Sequence, residues 1–174
     1  MRYQMRQKLF AWGDDFTIQD EQGRDAFFVD GKVFTLGKQL SFQSMSGQEL
    51  VLIRQQVFSW GPTYEIYRGG QLFATVKKKL FTFFNCTFNI DVPGPNDLEA
   101  RGDFTDHEYG FMRNGQVVAT ASKQWFSWTE SYGVDIAPGE DDVLILACTV
   151  VIDMACHQDH DSSPGFGSLL GGID

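Results

Sequence analysis

The sequence predicts a mainly-β protein: a closed antiparallel barrel of about twelve strands, in six hairpin repeats, around a central hydrophobic C-terminal helix. Three observations predict it. A phenylalanine recurs every 22 to 24 residues, a glycine-centred turn stands at a fixed distance before most of these phenylalanines, and one unbroken apolar run lies near the C-terminal end.

The repeat sets the strand count. The segments RQKLFAW (6–12), DGKVFTL (30–36), RQQVFSW (54–60), KKKLFTF (77–83) and SKQWFSW (122–128) align on Phe10, Phe34, Phe58, Phe81 and Phe126. Phe104 falls near the middle of the one long gap, so successive spacings are 24, 24, 23, 23 and 22 residues. Eleven residues before four of these positions stand Gly23, Gly47, Gly70 and Gly115, in turn-like stretches such as RNGQ. Glycine supplies the positive φ that tight hairpins require, and Asn-Gly is the strongest short hairpin signal. From the turns run period-two stretches, Leu72, Ala74 and Val76 alternating with Phe73, Thr75 and Lys77. Each unit of about 23 residues therefore holds two strands with one buried face. A sheet this wide closes to remove its edges. The polar residues before each Phe (Gln55, Lys78, Lys123) are expected at bulges or at the barrel rim. The recurring Phe, with aromatic partners such as Trp60, Phe83 and Trp128, is expected to form core layers.

Twelve strands enclose a bore too wide for wall side chains alone to fill. The apolar run from Val143 to Cys156 is the filler, and it makes about 21 Å of helix against roughly 30 Å of bilayer hydrocarbon. Pro138-Gly139 ends the last strand, and Glu140, Asp141 and Asp142 put negative charge on the positive end of the helix dipole. Asp153 would be costly in lipid. The predicted organisation is a barrel over 1–157, with its helix at about 140–157, and a Gly-, Ser- and Asp-rich flexible tail over 158–174.

A chain of 174 residues that is 43% hydrophobic can build one core, which excludes wholesale disorder. A net charge of −9 opposes broad attraction to nucleic acid or to an anionic membrane, leaving only a local basic patch to bind either, and no nucleic-acid partner is expected. The opening MRYQMRQKLFAW lacks the apolar run of a secretory signal. Cys86, Cys148 and Cys156 form no even framework, which fits reduced thiols and a cytoplasmic setting, with peripheral membrane attachment left open. No transmembrane span is expected.

The segments QKLFAWGDDFTIQDEQG (7–23), PTYEIYRGGQLFATVKKKLFTFF (62–84), DHEYGFMRNGQVVATASKQWFSW (106–128) and YGVDIAPGEDDVLILACTVVID (132–153) resemble the LURP-one-related proteins. These belong to the tubby C-terminal-like group, together with the phospholipid scramblases. The resemblance implies a twelve-stranded barrel around a hydrophobic C-terminal helix, in agreement with the count from spacing. For activity it implies lipid contact by analogy only: tubby domains bind phosphoinositides through basic side chains near a hairpin. The proline-rich N-terminal region and cysteine cluster of scramblases are absent here.

The best basic cluster is Lys77-Lys78-Lys79, with Arg54, Arg68, Arg113 and Lys123 in or near equivalent repeat positions. It would meet a phosphorylated headgroup if neighbouring hairpins converge, and otherwise it is a solvated strand face that discourages edge pairing. Alternation sends Lys78 to the opposite face from Lys77 and Lys79. His157 and His160 have a spacing that two metal ligands could share, but no third ligand is fixed, and Asp106-His107-Glu108 reads as a turn. No phosphate loop, nucleophile elbow, paired-cysteine zinc motif or Rossmann fingerprint is present, so no cofactor and no metal are expected. The function expected is a non-enzymatic binding or scaffold module, with Lys77, Lys78, Lys79, Arg54 and Lys123 as headgroup-binding candidates and an anionic phospholipid or a protein as partner. A membrane-associated, scramblase-like protein is the rival, and a hydrolase built around His107 or His157 is the remote one.

Overall fold

A computed structural model describes residues 1–6, 15–34, 37–59, 61–82, 85–125 and 131–161. Twelve strands follow in chain order: β1 (Arg2–Arg6), β2 (Phe16–Asp20), β3 (Asp25–Phe34), β4 (Gly37–Ser44), β5 (Glu49–Gln55), β6 (Thr63–Arg68), β7 (Gln71–Thr82), β8 (Asn85–Asp91), β9 (Leu98–Asp103), β10 (Glu108–Arg113), β11 (Gln116–Ser122) and β12 (Ser131–Ile136). A short 3-10 turn, Lys123–Trp125, follows β11, and one helix, α1 (Asp142–Asp161), closes the chain. Every strand pairs antiparallel with its chain neighbours, and β1 pairs with β12 (Tyr3 opposite Val134) to close the barrel. No strand edge is left exposed, which removes the usual template for aggregation.

Alternation fills the core. Val51 and Ile53, Tyr64 and Ile66, Ala74 and Val76, and Phe88 and Ile90 point inward from β5 to β8, and all are buried. Every residue from Leu144 to Ala155 is buried too, so α1 is enclosed on all its faces. The helix is longer than the 140–157 expected: the four residues 158–161, read as tail, are its last turn. That turn carries Asp159, His160 and Asp161, and among the described residues no helix is long and apolar enough to cross a membrane. Residues 162–174 lie outside the described residues.

Two glycines show why the hairpins turn as they do. Asn114 and Gly115 both adopt positive φ (51° and 78°), the conformation of the two-residue turn that matches strand twist. At Gly102 (φ 140°) an added Cβ would stand 2.5 Å from the Glu108 carbonyl oxygen, so only glycine lets β9 approach β10 there.

One expectation needs correction, and another is met by one of its two alternatives. The recurring Phe is not a core layer: Phe104 is buried, 5.0 Å from Phe88 and 4.8 Å from Tyr109, but Phe58 is 99% exposed. Phe10 and Phe126 and the side chains of Phe34 and Phe81 lie outside the described residues. Phe34, Phe58, Phe81 and Phe104 stand at or just past strand ends at one end of the barrel, and of these Phe58 is exposed and Phe104 is buried. Bulges, in turn, gather beside the glycine turns, at Ile18/Gln19, Phe42/Gln43, Ile66/Tyr67 and Phe111/Met112, and only the one at Leu80/Thr82 lies next to a recurring Phe. Gln55 and Lys78 sit at the rim, continuing the inward series of their strands.

Candidate functional site

The five basic candidates do not form one patch. Lys77 and Lys79 are exposed on the outer face of β7, and Lys77 Nζ lies 3.0 Å from Asp91 on β8. Lys78 is half-buried on the other face, opposite the buried Phe88. Arg54 lies two strands away on β5, with its guanidinium 5.0 Å from the Tyr67 ring centre and Glu65 opposite it on β6. Lys123 follows β11, four strands from β7 and so roughly 19 Å around the wall. It faces Asp106 at 3.5 Å. A residue that sequence reasoning missed joins the Lys79 row: Thr87 pairs with both Lys79 and Arg101, which puts Arg101 roughly 10 Å from Lys79 across the wall. Its hairpin belongs to the degenerate fifth repeat, so spacing gave no signal for it.

Arg68 and Arg113 serve elsewhere. They anchor the N-terminal end of α1: Arg113 Nη1 lies 2.6 Å from Glu140 Oε1, and Arg68 Nη1 lies 2.7 Å from Asp141 Oδ2. The Tyr3 hydroxyl donates to Asp142 Oδ2 at 2.6 Å. Three consecutive acids are thus held by β10, β6 and β1, on three sides of the barrel. Asp141 also caps the helix by accepting from the Leu144 N–H at 3.0 Å. Burial alone would raise the Asp141 pKa, but the Arg68 and Leu144 hydrogen bonds hold it below its ordinary value.

At the other end of α1 a polar knot is sealed in the core. Asp153 is 1% exposed and accepts a short hydrogen bond from the Tyr132 hydroxyl. His107 Nε2 stands 3.6 Å from Asp153 Oδ1, and the His107 ring lies 4.3 Å from that of Tyr132. His107 is 4% exposed and adopts φ 54°, so the turn between β9 and β10 folds inward over the helix. Burial pushes the Asp153 pKa up to about 7, against the lowering effect of the Tyr132 hydrogen bond. Tyr109, fully buried, faces Thr149 and Tyr132, and burial followed by the Asp153 charge raises its pKa. The sequence signal for this knot was slight: Asp153 was the one charge within the apolar run, and Asp106-His107-Glu108 looked like an ordinary turn. The side chains of His157 and His160 lie outside the described residues. Among the described residues no group of three or more His, Cys, Asp or Glu is arranged to hold a metal ion. Neither Cys148 nor Cys156 is in a disulfide.

A barrel closed between its first and last strands, with an apolar C-terminal helix in its bore, is the architecture that the resemblance implied, and residues 1–153 match the LURP-one-related family profile. The chain belongs to the LURP-one-related family. It is 38% identical over 159 residues to YxjI of Bacillus subtilis (strain 168), described as an uncharacterised protein, covering 91% of this chain and 96% of that one. An X-ray structure of an Arabidopsis thaliana protein shares the fold at a TM-score of 0.65 and 20% identity, covering 87% of this chain and 90% of that one. For a LURP-one-related barrel the filled bore has a chemical consequence. The inward faces of wall and helix are spent on each other, so ligands meet the outer wall and the two ends.

Proposed function

We propose that this LURP-one-related chain is a non-enzymatic binding module whose outer wall takes up an anionic lipid headgroup, acting in the cytoplasm at the periphery of a membrane. The observation that carries the reading is the row of cations on one stretch of wall: Lys77 and Lys79 are exposed on β7, and Arg101 lies in the Lys79 row. Arg54 flanks them across β6. Cations spaced about two strands apart suit the several oxygens of a phosphorylated headgroup. Lys77 shares its charge with Asp91 and Arg101 with Glu99, so binding is modest and sensitive to salt.

Two other readings are weaker. A scramblase-like role would need α1 to leave the bore, against burial on all its faces and three anchored acids. A hydrolase centred on His107 would need substrate to reach a ring that is 4% exposed. The test is co-sedimentation of the purified chain with phosphatidylcholine vesicles with and without phosphatidylserine or a phosphoinositide. Pelleting should require the anionic lipid, fall with added salt, and drop about tenfold or more when Lys77, Lys78 and Lys79 all become Ser. Pelleting that ignores both changes would refute the headgroup reading.

A further inference from the structure

The two ends of the barrel differ chemically. One end holds the connections 21–24, 45–48, 69–70, 92–97 and 114–115 and the link to the helix, 137–141, and none of these contains an aromatic residue. The opposite end holds the described connecting residues 56–59, 61–62, 104–107 and 123–125, which include the aromatic residues Phe58, Phe104 and Trp125.

The described part of this aromatic end includes a braced apolar tip. Gln56 N–H donates to the Thr63 carbonyl at 2.9 Å, Lys78 N–H donates to the Pro62 carbonyl at 3.1 Å, and the Ser59 hydroxyl donates to the Gly61 carbonyl. These bonds tie down the base of the loop and leave Val57 62% and Phe58 99% exposed at its crest. Lys78 lies directly beside the loop, with Lys79 next to it and Arg54 at the end of the strand that feeds it. An exposed phenyl ring on a wall sector that also carries exposed cations has the composition of a bilayer interface, where apolar groups enter the headgroup boundary and cations meet phosphate.

Charge separates this end from the other. The aromatic-free end also exposes apolar side chains, Leu72 and Val117 among them, but it carries Asp20, Glu21, Asp97 and the acids Glu140 to Asp142. An anionic surface repels that end and attracts the β5–β7 sector of the aromatic end. Of the described acids at the aromatic end, Asp15, Asp103, Asp106 and Glu108 belong to other sectors, and Asp106 faces Lys123, while Glu65 within the sector lies opposite Arg54 and accepts from Gln56 Nε2.

We propose that the aromatic end is a membrane-docking face: Val57 and Phe58 insert into the interface of an anionic bilayer, Lys79 and Arg54 meet lipid phosphates around them, and the acidic end points away. This rests on the headgroup reading and adds to it the end that docks, the orientation, and the requirement for a bilayer rather than a soluble phosphate.

The test uses the full chain with phosphatidylcholine–phosphatidylserine vesicles and, in a second arm, soluble glycerophosphoserine. Binding is read by co-sedimentation and by quenching of the native tryptophans with brominated lipid. The expected result is quenching in the vesicle arm, about a tenfold loss of vesicle affinity in Val57→Ser/Phe58→Ser with its salt dependence unchanged, and no loss in Leu72→Ser/Val117→Ser. Normal vesicle binding by Val57→Ser/Phe58→Ser, or weakened binding by Leu72→Ser/Val117→Ser, overturns the docking face while leaving the headgroup reading intact. Binding of glycerophosphoserine as strong as binding of vesicles, without quenching, overturns it in favour of a soluble ligand. Absence of vesicle binding at low salt overturns both. All four side chains are exposed, so neither double variant should impair folding.

Discussion

Asp153 is a carboxyl group placed where water cannot reach it, and burial there raises its affinity for a proton. In the folded protein it is held up to about pH 7, whereas an unfolded chain releases it near its ordinary value of 3.8. Between those limits the unfolded chain binds fewer protons, so this group's contribution to stability falls as pH rises from about 4 to 7 and is flat outside that window. The full loss is bounded at about 4 kcal/mol. The groups facing Asp153 are His107, Tyr132 and Tyr109 from the wall. Asp153→Asn should therefore raise the urea midpoint relative to wild type at about pH 8 and remove the component that declines below pH 7. If the difference between the two proteins does not vary with pH, the titration belongs to another group.

Helix α1 is fixed at its N-terminal end by contacts of unequal burial, which ranks their contributions. Glu140 and Arg113 are mostly buried, so Arg113→Ala leaves a carboxylate short of its partner and should cost about 2 kcal/mol. Arg68 and Asp141 are each about a third exposed, and screening reduces the expected cost of Arg68→Ala to about 0.5–1 kcal/mol. At this chain length the two changes should lower Tm by roughly 6 °C and 2 °C. Calorimetry giving the reverse order would show that burial is the wrong guide here. The sequence reached this element well on one count and poorly on another. Its apolar run and acidic start marked the helix, because a rod buried on all faces has no polar stripe to confuse the reading. The partners of those acids were not legible: Arg68 and Arg113 sit at hairpin ends, and only closure of the barrel brings them over the helix terminus. The same limit hid Asp153 and His107, which are 46 residues apart in the chain. Lys78 was the opposite case, since strand alternation alone assigned it to the inner face.

Across the whole molecule, strand count and closure followed from the 23-residue repeat, because each unit needs its neighbours to bury one face. The use of the two ends did not follow, since the recurring Phe reads as core until Phe58 is seen at a loop crest. The core itself makes a direct prediction: Leu146→Asp puts a charge among fully buried side chains and should abolish soluble, cooperatively melting protein. Normal expression and an unchanged thermal transition would contradict the enclosed position of the helix. The register between β1 and β12 carries a further consequence for biosynthesis. Ribosomes make the staves before the peg, so a nascent chain has all its apolar inner faces but nothing to seat them on until the codons for α1 have been read. The pairing that closes the barrel, β1 with β12, joins the two ends of the strand array (Tyr3 opposite Val134), and such non-local pairing is slow to form. Newly made copies should therefore depend on chaperones for longer than a helical protein of equal size.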